Sequence, residues 1–147
     1  MWRQNCYHQK FHRILILDLH INSIKPLRKV ALSYNLTLSQ LLCIVSIPYD
    51  GISQTELANK LSLDISTLSR NLSNLINKDI IVKNKDSLDG RAYNISLTSN
   101  GNKLYKNIFL NINEELYKIL NQLDIQDTES LSLGVENLNW LFVKNNY

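Results

Sequence analysis

Glycine, proline and cysteine are all scarce, at four, two and two of 147 residues. So few turn formers argue against a β-sandwich or barrel, whose many short strands each need a tight reversal. Cys6 and Cys43 lie far apart, with no metal-ligand spacing and no disulfide framework around them. No apolar run approaches the roughly 18–20 residues that a bilayer-spanning helix requires. The longest near the start, Ile14-Leu15-Ile16-Leu17, is closed by Asp18. No extended apolar core with a small-residue cleavage site marks a secretory leader. The expectation is a reduced, cytoplasmic protein with no membrane partner. A Gly-rich phosphate loop, a nucleophile elbow and a metal-ligand cluster are also missing, which argues against an enzyme and against a resident cofactor or metal.

What is present suits one compact, core-forming chain, with 44% apolar residues and a net charge of +3. The charge is uneven. Residues 1–35 hold six bases and one acid, whereas residues 99–147 hold four bases and six acids. A weakly basic total permits nucleic-acid binding without establishing it.

Three helix starts share one grammar. Thr37-Leu38-Ser39-Gln40 and Ser53-Gln54-Thr55-Glu56 are capping boxes, in which an N-cap hydroxyl and a Gln or Glu three residues later satisfy each other's backbone N–H groups. Leu36 with Leu41 and Ile52 with Leu57 add hydrophobic staples. Asp64-Ile65-Ser66-Thr67 lacks the return partner but keeps an Asp cap and a Leu63–Leu68 staple. These starts predict short helices near 38–47, 54–61 and 65–78, the last two joined by the short connection of a helix-turn-helix. The period then changes to alternation. Ile80–Asn84 and Ala92–Leu97 read as two strands around a polar loop containing Asp89-Gly90, a wing after a helix-turn-helix. Apolar residues at helical spacing predict long helices over about 7–33, 99–123 and 127–144, with Pro26 expected to kink or interrupt the first.

The fold expected is therefore mainly α, an α+β winged helix of about six helices with a two-stranded β-wing. Its parts are an N-terminal dimerisation helix (1–35), a winged helix-turn-helix lobe (36–98) and C-terminal dimerisation helices (99–147), integrated as one domain. The flanking helices carry more apolar stripe than one subunit can cover, and the surplus reads as a homodimer interface. The alternative is an intramolecular bundle.

The helix 65–78 is the informative one. Leu68, Leu72, Leu75 and Ile76 form its expected buried stripe. The remainder includes Ser66, Thr67, Ser69, Arg70, Asn71, Ser73 and Asn74, and no carboxylate lies between Asp64 and Asp79. An ordinary solvated face mixes acids with bases, and Ser, Thr and Asn are poor helix formers. Hydroxyls, amides and cations meet phosphates and base edges without repulsion. The plain alternative is a polar surface in an Asn-rich chain. In the wing, Arg91 is placed to enter a narrow minor groove, with Asp89 to orient it. Lys83 and Lys85 stand where flanking phosphates would lie. The plain alternative there is a surface Asp–Arg pair of little energetic weight.

From Leu36 to Gly101 the chain resembles the MarR family of bacterial regulators. The resemblance rests on Leu36-Thr37 with Gln40, Glu56-Leu57-Ala58, Leu63–Arg70, Leu72, Leu75, Asp89-Gly90-Arg91-Ala92 and Leu97-Thr98-Ser99-Asn100-Gly101. It implies a homodimer binding a pseudo-palindromic double-stranded operator, usually as a repressor, with helix 65–78 in the major groove and Arg91 in the minor groove. On this chain the implied contacts are Ser66, Thr67, Ser69, Arg70 and Arg91. Two departures stand out. Ile76 and Asp79 occupy positions where the family often has Glu and Gly, and Gly90 stands where relatives often carry Arg.

The resemblance further implies release by a small-molecule effector or by cysteine oxidation. Cys6 is the redox candidate, Cys43 reads as a small core residue, and His8 with His12 lack further metal ligands. Two other readings stay open: a winged helix that binds DNA with no effector, and a winged-helix protein-interaction module without DNA.

Overall fold

The computed structural model describes the backbone of residues 2–85 and 93–145, and the side chains of 14–84 and 93–145. Six helices are described: α1 (Trp2–Ser33), α2 (Leu38–Ser46), α3 (Gln54–Leu61), α4 (Ile65–Asn77), α5 (Ser99–Leu120) and α6 (Ile125–Lys144). Three strands accompany them: β1 (Ile52–Ser53), β2 (Ile81–Lys85) and β3 (Tyr93–Leu97).

The short helices begin where their caps place them. Thr37 Oγ1 accepts from the Gln40 N–H at 3.2 Å, and Gln40 Oε1 accepts from the Thr37 N–H at 3.1 Å. Ser53 and Glu56 repeat the exchange at 3.1 Å each way. Asp64 Oδ1 accepts from the Thr67 N–H at 2.8 Å and from the Ser66 hydroxyl at 2.5 Å. Those bonds, the Ser66 hydroxyl first, hold the Asp64 carboxyl well below the usual carboxylate range. Between α3 and α4, Ser62 takes a left-handed conformation, and its N–H and that of Leu63 return to the last carbonyls of α3.

The core gathers one or more residues from each element of residues 30–108 except the two-residue β1. Val30 and Ala31 come from α1, Leu41, Cys43 and Ile44 from α2, and Leu57 and Ala58 from α3. Leu68, Leu72 and Leu75 come from α4, Ile81 from β2, Ile95 from β3 and Ile108 from α5. Burial pushes the Cys43 thiol up to about 11, as expected of a small apolar filler.

The structure corrects three expectations. α1 runs unbroken from Trp2 through Pro26; the ring removes one hydrogen bond at most, and the helix continues on both sides of it. The wing stem belongs to a three-stranded antiparallel sheet of order β1-β3-β2, in which Ile52 and Ser53 pair with Ile95 and Asn94. Two residues are too few to show an alternating pattern, and Ser53 also serves as a helix cap. Ile76 is 40% exposed, so the buried stripe of α4 is Leu68, Leu72 and Leu75 alone.

The Leu-Thr-x-x-Gly segment has a physical reason. A Cβ on Gly101 would lie 1.9 Å from the Ile80 carbonyl oxygen, so only glycine lets α5 start this close to the approach to β2. Thr98 Oγ1 donates to the Asp79 carbonyl at 2.7 Å and accepts from the Gly101 N–H at 2.9 Å. Asp79 itself sits at φ +55°, a left-handed position that explains why glycine would suit it. Here the Asn100 amide holds its carboxylate at 2.5 Å.

The chain divides into two compact units, Met1–Ile112 and Asn113–Tyr147. The second contains the end of α5 and all of α6. No residue of α6 is buried, although Leu131, Leu133, Val135, Trp140, Leu141 and Phe142 are all on it. Among the described residues no helix is long and apolar enough to cross a membrane.

Candidate nucleic-acid interface

The face of α4 is set by the three leucines that bury its other side. At 100° per residue, Ser66, Arg70, Ser73, Asn74 and Asn77 fall opposite Leu68 and Leu72, and all five are exposed. Arg70 and Asn74 make no side-chain hydrogen bond or ion pair among the described residues, so their donors are free for a ligand. Ser73 donates to the Ser69 carbonyl at 2.9 Å, and Ser66 serves the cap. The acids flanking α4 are exposed but engaged: its cap Asp64 and Glu56 of α3 accept from backbone N–H groups, and Asp79 beyond its end accepts from the Asn100 amide. The outward face of α4 itself therefore carries a cation, amides and hydroxyls and no carboxylate.

The remaining expected contacts stand on the shoulders of α4, and the structure shows what engages them. Asn71 Nδ2 donates to Ser39 Oγ of α2 at 3.2 Å, a bond that docks the helix. Thr67 is half-buried. Ser69 Oγ accepts from Gln54 Nε2 of α3 at 2.8 Å. At the far end, Lys78 donates to the Asn35 carbonyl at 2.8 Å, tying the end of α4 to the α1–α2 connection.

Lys83 extends from β2 to Gln54 Oε1 at 2.6 Å, with its ammonium 4.1 Å from the centre of the Tyr93 ring on β3. Its charge thus meets a neutral acceptor and a π face rather than a carboxylate. Gln54 carried no weight in the sequence reading; the signal for it was its place directly after a capping serine, where its side chain faces the next helix. The side chain of Lys85 and residues Asp89, Gly90 and Arg91 lie outside the described residues, as does the side chain of Cys6. Among the described residues no group of three or more His, Cys, Asp or Glu is placed to hold a metal ion.

A helix-turn-helix whose second helix exposes an acid-free face, followed by a β-hairpin stem closed by a third short strand, is a winged helix. Residues 25–108 match the family model described as transcriptional regulator SarA/Rot, and the chain belongs to that family. Solved structures share the fold. A MarR transcriptional regulator from Methanosarcina mazei Go1 superposes with a TM-score of 0.78 at 21% identity, covering 92% of this chain and 98% of that one. Wild-type MarR from E. coli in its apo form gives 0.76 at 20% identity, covering 84% and 93%. The S. aureus MepR–DNA complex gives 0.69 at 22% identity, covering 86% and 94%. No curated protein sequence matches.

Proposed function

We propose that this transcriptional regulator binds double-stranded operator DNA as a homodimer, with α4 in the major groove and Arg91 of the wing in the minor groove. The observation that carries the reading is the outward face of α4: Arg70 and Asn74 unpaired, hydroxyls beside them, and the two acids by its start, Asp64 and Glu56, engaged in helix caps. MepR, which shares the fold, was solved with DNA, and such helices enter the major groove by their N-terminal half. The free Arg70 cation suits a phosphate contact, and the free Asn74 amide, further along the helix, suits a flanking phosphate or sugar oxygen.

Dimerisation is supported by apolar surface that the chain leaves open. Leu133 and Val143 of α6 are 61% and 68% exposed, and Ile14, Leu17 and Leu19 of α1 are also exposed. Surface of this kind on both terminal helices suits a self-complementary, twofold interface. For an effector, an open depression of about 380 Å³ between the end of α2 and α5 is lined by Ile47, Pro48, Tyr49, Leu97 and Tyr105 together with Asn102 and Lys106. That composition suits a small aromatic acid. The reading predicts repression relieved by the effector.

The test is a gel shift with fragments of the parent genome against competitor polymer, run at several salt concentrations. A subset of fragments should be retained at moderate ionic strength, and Arg70→Ala should flatten the log–log salt slope by about one unit. Equal affinity for every duplex would refute operator recognition, and a slope equal to wild type would remove Arg70 from the phosphates. Sedimentation should report a dimer of 17.0 kDa chains.

A further inference from the structure

We infer that Gln54 is a specificity-determining positioning residue: held by Lys83, it forces the Ser69 hydroxyl of the recognition helix to act as a hydrogen-bond donor toward DNA. The inference rests on the proposed docking of α4 in the major groove. Its basis is the direction of three successive hydrogen-bonding groups.

Lys83 carries an ammonium, which donates and never accepts. At 2.6 Å it must therefore face the oxygen of the Gln54 amide, not its nitrogen. An amide has one oxygen and one NH2, so fixing the first fixes the second, and Gln54 Nε2 points to Ser69 Oγ at 2.8 Å. The Ser69 oxygen thereby becomes an acceptor from Gln54, and its own proton has no acceptor among the described residues. A hydroxyl held this way offers O–H outward. In the major groove its free proton favours the O6 and N7 of guanine, the N7 of adenine or the O4 of thymine over the amino groups of cytosine or adenine, which would leave that proton without an acceptor. The Tyr93 ring 4.1 Å from the ammonium keeps Lys83 at its post without neutralising it. One amide thus joins α3, α4 and β2, and through Lys83 it reaches β3. The contacts span 15 and 29 residues of chain.

Two substitutions separate polarity from mere support. Gln54→Glu keeps the shape and the acceptor toward Lys83, but a carboxylate cannot donate. Ser69 must then turn its proton to the carboxylate and offer a lone pair to DNA. Selection from randomised duplexes should show one base position per half-site moving from acceptor-bearing to amino-bearing edges, by about tenfold in relative affinity, the scale of one good base contact. The added charge should also lower the salt slope by about one unit. Gln54→Ala should relax that same position toward no preference while leaving the slope unchanged. An identical base preference in wild type and both variants overturns the inference, as does the same change in both.

A DNA-free measurement keeps this apart from the proposed function. In the full-length protein, the side-chain NH2 resonances of Gln54 should shift on Ser69→Ala and on Lys83→Met. If neither substitution moves them, the relay does not exist, whatever the chain binds. If both move them and wild type retains no duplex, operator binding fails and the outward role of Ser69 fails with it.

Discussion

α4 and α6 are both helices with leucines at helical spacing, yet they stand in opposite conditions. α4 buries Leu68, Leu72 and Leu75 to 2% exposure or less and shows solvent a polar face. α6 buries nothing, and Trp140, Leu133 and Val143 are each more than half exposed. Both are properly capped, by Asp64 and by Asp124. Caps and spacing therefore establish that a helix forms, while its burial depends on whether the chain itself supplies a facing surface. For α4 it does. For α6, within its own compact unit, it does not, and a second copy of the chain is the partner we propose.

The sharpest way to break this contrast is to remove one leucine from each helix. Leu72→Ala should cost about 2–5 kcal/mol, the usual penalty for a cavity in a closed core, read as a large fall in denaturation midpoint. Leu133→Ala should instead alter self-association, seen as a higher protein concentration for half-dimerisation in sedimentation. Equal losses of folding stability in dilute monomer would show that α6 is packed after all.

Gly101→Ala comes next. Its Cβ meets a backbone carbonyl, which has less room to yield than a side chain, so the loss should reach at least the 1–3 kcal/mol, roughly, of an over-packed core. A melt unchanged from wild type would mean that the start of α5 moves freely. Thr37→Ala, which removes one half of a capping box, should cost about 1 kcal/mol.

The smallest effect is pH-dependent. The Asp64 carboxyl titrates lower in the folded chain than in the unfolded one. Its contribution is therefore complete above the ordinary carboxylate pKa, near pH 4, and fades as pH falls toward the folded value. The difference in melting temperature between wild type and Asp64→Ala should accordingly narrow on acidification from pH 7 to pH 3. A difference that widened would place the carboxylate in an unfavourable setting.

Much of the winged helix was legible because its signals are short-range. The helices expected near 38–47, 54–61 and 65–78 are observed as Leu38–Ser46, Gln54–Leu61 and Ile65–Asn77, since each start is closed by bonds between residues two or three apart. The segment Leu97–Gly101 was legible as a pattern but not as a cause. Its glycine answers to Ile80, a residue on the other side of the wing, which only the packed chain brings near. β1 was missed because two residues carry no period, and Ile76 was misplaced because helical spacing alone does not say how wide the covering surface is. The candidate contacts of α4 were legible as a composition. Their division into free groups (Arg70 and Asn74) and groups held by neighbours (Ser69 and Asn71) was not.

By itself, the order of residues determined which segments are helical, where they begin and which side of α4 is apolar. These depend on interactions within one or two turns, which need no knowledge of the rest of the chain. Tertiary structure decided which polar groups remain available. Gln54 meets Ser69 and Lys83 across 15 and 29 residues, and Asn71 meets Ser39 across 32. Hydrogen bonds are directional and saturable, so each such pairing removes a donor or acceptor from the surface and orients what is left. No local rule reports that.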